Sequence, residues 1–78
     1  MAIQVTMRRH GSDETITGTA QTDSPAEAIA RVAKRKLGWA FVGTLQHFPG
    51  GDTYHAQSGQ RVGNATSLGS LYIVHIER

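Results

Sequence analysis

The sequence contains no cysteine. That absence excludes disulfide staples, thiolate zinc sites, iron–sulfur clusters and a cysteine nucleophile. Small exported domains commonly reinforce a thin core with disulfides, so their absence predicts a cytoplasmic setting. No apolar run approaches the ~20 residues of a membrane-spanning helix, and no membrane partner is expected. No secretory leader is legible in Met1–His10, where an alternating pattern ends in charges. Carboxylates are also scarce. The six are Asp13, Glu14, Asp23, Glu27, Asp52 and Glu77, and most fall in predicted turns, the helix cap or the terminus. No serine–histidine–acid order stands out. Gly50-Gly51 and Gly63 lack the spacing of a phosphate loop and precede no helix. With neither a catalytic set nor a cofactor motif, the expectation is a binding protein, not an enzyme.

What is there begins with size. A chain of 78 residues, 38% of them hydrophobic, supports one domain and one modest buried layer. Its stability should be marginal, and a homodimer would help it. Eight lysines and arginines against six acids give a formal charge of +2. The distribution matters more than this total. Lys34, Arg35 and Lys36 are consecutive, Arg31 lies one turn earlier, and Arg8 and Arg9 form a second pair.

Residues 2–9 alternate Ile3, Val5 and Met7 with Gln4, Thr6 and Arg8, the period of a half-buried strand. Gly11-Ser12-Asp13 is a turn cluster, and residues 14–21 read as the second strand of a hairpin. Its faces are Ile16, Gly18 and Ala20 against four polar residues. Ser24-Pro25-Ala26-Glu27 predicts a helix start, with Ser24 as N-cap, a first-turn proline and the Glu27 carboxylate reaching back to the Ser24 amide. Ile29, Val32, Ala33 and Leu37 then form one apolar stripe. Glu27 and Arg31 are ordered for an i,i+4 pair. The cations of the last turn suit the helix dipole, and Gly38 suits the residue after the helix. Trp39 and Phe41 should pack beneath the helix. Residues 40–48 read as a third strand, Pro49–Asp52 as a turn, and 53–57 as a fourth strand. Residues 58–69, rich in Gly, Ser, Asn and Thr, read as a long loop with a short strand at Arg61-Val62. Leu71–Ile76 is the last strand. The prediction is an α+β fold of order ββαβββ, a single helix on one face of a mostly antiparallel four- to five-stranded sheet.

Four features invite a functional reading. The basic turn of Arg31, Lys34, Arg35 and Lys36 is either a solvated face suited to the dipole or a patch for phosphates or acidic protein. The polar faces of the first two strands are an ordinary wet surface or a flat recognition surface. His47 and His55 could oppose each other across the Pro49–Asp52 turn, half of a metal site without an evident third ligand. Tyr54 is placed for base stacking or a protein contact, though aromatics on small sheets commonly belong to the core.

The stretch from Ala20 to Ala56 carries a resemblance. A short alanine-rich helix ends Lys36-Leu37-Gly38, Phe41-Val42-Gly43-Thr44 opens a strand, and a hairpin follows with Tyr54-His55-Ala56. This pattern, about half the chain, resembles the small phage-encoded anti-CRISPR proteins that inhibit type I systems, whose compact members pair one helix with a small antiparallel sheet. The resemblance implies binding to Cas subunits of the RNA-guided surveillance complex, in the cytoplasm of an infected bacterial host, so that target DNA is not engaged. The chain departs from acidic DNA mimics of that kind because it is net basic. The family has no fixed contact motif to carry over. The predicted contact residues therefore come from the composition: Arg8, Arg9, Arg31, Lys34, Arg35, Lys36 and Tyr54. A small module binding DNA non-specifically through the same cations is the alternative, and a dimerising structural protein is the third reading.

Overall fold

The computed structural model describes residues 1–78. Strands β1 (Ala2–Arg9) and β2 (Thr15–Gln21) form the predicted hairpin, followed by α1 (Pro25–Leu37), β3 (Phe41–His47), β4 (Thr53–Val62) and β5 (Ala65–Glu77). The five strands make one sheet in the order β2-β1-β5-β4-β3, antiparallel throughout. The last strand is thus central, and α1 links the two edge strands across one face. No helix is long and apolar enough to cross a membrane.

Alternation decides which side each residue takes. Val5 sits between Gly18 and Ile76, and Met7 between Ile16 and Val74. These apolar rows form one face, which meets Ala28, Ile29, Val32 and Ala33 of α1 in a cluster of 12 buried residues. Gly18 lets the helix lie close. A Cβ there would stand 3.0 Å from Cγ1 of Val32. Trp39, 9% exposed, completes the core with its ring edge-on to Tyr72 at 5.4 Å.

The helix ends as its capping residues dictate. The Ser24 hydroxyl accepts from the Glu27 amide at 3.3 Å, and Gly38 adopts φ 73° while its amide bonds back into the last turn. The capping box closes differently from expectation. The Ser24 amide donates to Thr22 Oγ1 at 3.1 Å, and the Thr22 hydroxyl donates to the Glu27 carboxylate at 3.2 Å. Thr22 relays the contact, and Glu27 is left to pair with Arg31.

Two expectations are overturned. Residues 58–69 are not a long loop. β4 continues to Val62 and β5 begins at Ala65, with Val62 directly opposite Ala65. The two-residue connection has Gly63 at φ 61° and no other residue of positive φ nearby, as a hairpin turn with glycine in its first central position requires. Composition misleads here because the ladder is held by backbone groups, which Gly, Ser, Asn and Thr also supply. Phe41, in turn, does not pack beneath the helix. It pairs with Gly59, and its neighbour Val42 takes the core side instead. Register shifts at Val42/Thr44 and Gln57/Gly59 mark irregularities that bring Gly43, Gly59 and Leu68 close together.

Candidate functional site

The cations are sorted by the direction of the helix. Arg31 donates to the Gln21 carbonyl at 3.0 Å, and Arg35 to the Thr19 carbonyl at 2.7 Å. Advancing along α1 therefore means moving back along β2. The C-terminal turn of α1 accordingly lies toward Thr15, whose partner on β1 is Arg8. β5 passes Arg9 at Tyr72, and His10 donates to the Leu71 carbonyl at 2.8 Å. Residues 65–70 run on beyond this end of β1. The outer β4–β5 hairpin, carrying Arg61, projects from the same end in a molecule 37 × 26 × 24 Å in extent.

One pole of the molecule consequently collects Arg8, Arg9, Lys34, Lys36 and Arg61, against Asp13 and Glu14, while the Arg35 guanidinium, held at the Thr19 carbonyl, lies in the row of Gln4 and Glu77. The opposite pole holds Asp23, Glu27, Asp52 and Glu77 with Arg31 and Arg78. The Met1 ammonium lies 3.6 Å from Asp23 there. The charge of +2 is thus weighted toward one end, the other being close to balanced. Such a field orients an approaching anionic surface before contact.

Among the predicted contact residues, Arg8, Arg9, Lys34 and Lys36 are exposed at or near the basic pole. Arg31 and Arg35, although also exposed, have structural work. β2 is an edge strand, and their guanidinium groups cover carbonyls that would otherwise invite another strand. Tyr54 stands apart from the cations. It is half-buried against the core, three strands from β2, and stacks on His47 at a centroid distance of 4.5 Å. The seven residues do not form one surface.

The two histidines do not oppose each other. His47 pairs with Tyr54 and His55 with Gln46, which puts the imidazoles on opposite faces of the sheet. A slip of one residue in a strand pairing reverses the face, and the turn length in the sequence did not resolve that slip. His47 Nε2 meets the Gly51 carbonyl at 2.7 Å, and His55 meets Phe48 edge to face at 4.4 Å.

The helix-free face of the sheet is polar at β1 and β2, and at β5 the sequence sets Leu71 and Ile73 opposite Tyr72, Val74 and Ile76, a face expected to stay partly exposed unless another chain covers it. Its centre is richer. The pairings Gln46–His55, His55–Ile73, Ile73–Arg8 and Arg8–Thr15 place these five residues in one row across all five strands. A second row runs Phe41–Gly59–Leu68. Phe41 is 39% and Leu68 48% exposed. The signal in the sequence was the alternation of Leu71 and Ile73 with the core residues Tyr72 and Val74.

The geometry defines a small α+β domain with a basic pole, a projecting hairpin and one open sheet face. Comparison with protein families, with curated proteins and with solved structures finds no match to this chain.

Proposed function

We propose that this domain is a non-catalytic binding protein that docks its basic pole onto a type I CRISPR-Cas surveillance complex in the bacterial cytoplasm and blocks target-DNA engagement. The observation that carries the reading is the segregation of charge, which fits a partner presenting an anionic surface, whether guide-RNA backbone or an acidic Cas subunit face. The resemblance over Ala20–Ala56 supplies the particular partner. Its Leu37-Gly38 and Phe41–Gly43 stretch forms the helix stop and the entry to β3, so it supports the scaffold and the contacts lie elsewhere. Lys34 and Lys36 are the informative contacts, because both are exposed and neither side chain makes a hydrogen bond or ion pair within the chain. The test is co-elution of the protein with purified type I complexes, together with target-DNA binding by those complexes at physiological salt. Loss of DNA binding with co-elution, both relieved by Lys34→Glu with Lys36→Glu, is the expected result. Complexes that bind DNA normally and leave the protein unbound would refute it.

A second reading is direct nucleic-acid binding. It is favoured by the run from Thr53 to Ile76, which builds β4, the projecting hairpin and all of β5 but its last residue without one carboxylate. It predicts affinity in the absence of any complex, falling steeply as salt rises.

A further inference from the structure

We infer that the helix-free face of the sheet is a platform for single-stranded nucleic acid, with Phe41 and the Phe48–His55 pair as its stacking surfaces. The inference deepens the second reading above, and rests on it for the anionic character of the ligand, but places the contact on the open sheet face, which Lys34 and Lys36 of the helix do not share.

Phe41 carries the argument. Its ring lies where the Cβ of any residue but glycine at position 59 would stand, 2.2 Å from its Cε2. Gly59 is thus the condition for the ring to lie against the backbone of β4. One side of the ring is covered by the sheet and the residue is still 39% exposed. A large apolar side chain held down on the helix-free face contributes little to the core, which Phe41 does not join. Every base has a π-face that such a ring can receive.

The surroundings fit the same ligand. His55, in edge contact with Phe48, lies four residues along β4 from Gly59, or roughly 13 Å at the rise of a strand. Leu71 and Gln57 face each other between the two aromatic positions. Arg8 stands in the His55 row, and Arg61 lies beyond Gly59 on the same side. Alternation brings only one carboxylate to this face, Glu77 at the far end opposite Gln4. Stacking surfaces, flanking cations and threonine and glutamine groups on an open sheet are what sequence-tolerant binding of an unpaired strand uses. A second copy fits the face less well. Its apolar residues are interrupted by Gln57, His55 and Arg8, and a symmetric pairing would set cations on a face almost free of acids to answer them.

The test is fluorescence anisotropy with labelled oligo(dT) and oligo(U), beside a duplex of the same length, with circular dichroism to verify folding. The expected result is preference for the single strands, lost by about 5- to 150-fold in Phe41→Leu and restored in Phe41→Tyr, the span that one stacked base supports. Arg61→Ala, on the projecting hairpin, should weaken binding without altering the fold. Single-strand binding unchanged in folded Phe41→Leu would overturn the inference. Equal binding of duplex and single strand, weakened by Lys36→Glu and indifferent to Phe41, would overturn it while leaving direct nucleic-acid binding at the basic pole in place. No binding of either oligonucleotide would end both. Concentration-dependent dimerisation abolished by Phe41→Leu, without oligonucleotide binding, would assign the face to a second copy.

Discussion

Replacing Arg31 and Arg35 together by lysine separates the two roles that a helix cation can have. Net charge and its position are kept, so attraction to an anionic partner should be unchanged. The planar fork that reaches the Gln21 and Thr19 carbonyls at 3.0 and 2.7 Å is removed. Each bond, at an exposed edge, contributes about 0.5–1.5 kcal/mol net. Lysine recovers part of this with one flexible donor, so the double variant should lose about 1–2 kcal/mol. In a domain of this size that lowers the unfolding midpoint by roughly 5–15 °C. Thermal unfolding followed by circular dichroism measures it, and hydrogen exchange of the β2 amides should quicken in parallel because the edge is less well held. Unchanged melting together with weaker partner binding would refute the structural assignment of these arginines and return them to the contact surface. The prediction is sharp because the ion pair of Arg31 with Glu27 is an exposed i,i+4 contact worth only a few tenths of a kcal/mol.

Three other substitutions probe the scaffold. Gly18→Ala places a methyl 3.0 Å from Val32 Cγ1 and should cost about 1–3 kcal/mol in urea unfolding. Ser24→Ala removes the acceptor of the Glu27 amide and should cost about 1 kcal/mol by the same assay. Trp39→Ala vacates the space against Tyr72 and should cost about 3–5 kcal/mol, enough to unfold much of the population. As Trp39 is the only tryptophan, its emission also reports unfolding in the other two variants, and a solvent-like spectrum in the native protein would contradict its burial.

The helix was legible to the residue at its start, and the β1–β2 hairpin was legible in its alternation and turn. The site was legible only in part. Lys34 and Lys36 are as exposed as a charged run suggests. Arg31 and Arg35 read identically in the sequence, yet they point at β2, because one face of α1 had to lie over Gly18. Phe41 follows Trp39 by two residues and shares its apolar character, but the irregularity at Gly43 sends it to the other face. Its partner Gly59 lies far along the chain and gives no local sign of the contact. Residues 58–69 looked like a loop because glycine, serine and asparagine weaken strand propensity, while the backbone ladder that makes them a hairpin asks for no particular side chain.

Local periodicity by itself determined the order of the elements of this protein and the buried stripe of α1. These depend on residues two to four positions apart, which the chain states directly. Tertiary structure decided the placement of β5 at the centre of the sheet, the gathering of five cations toward one pole, the capture of two arginines by an edge strand and the exposure of Phe41 on the open face. Each of these follows from strand pairings between distant residues, where a shift of one position turns every side chain to the opposite side, and short-range pattern does not encode that choice.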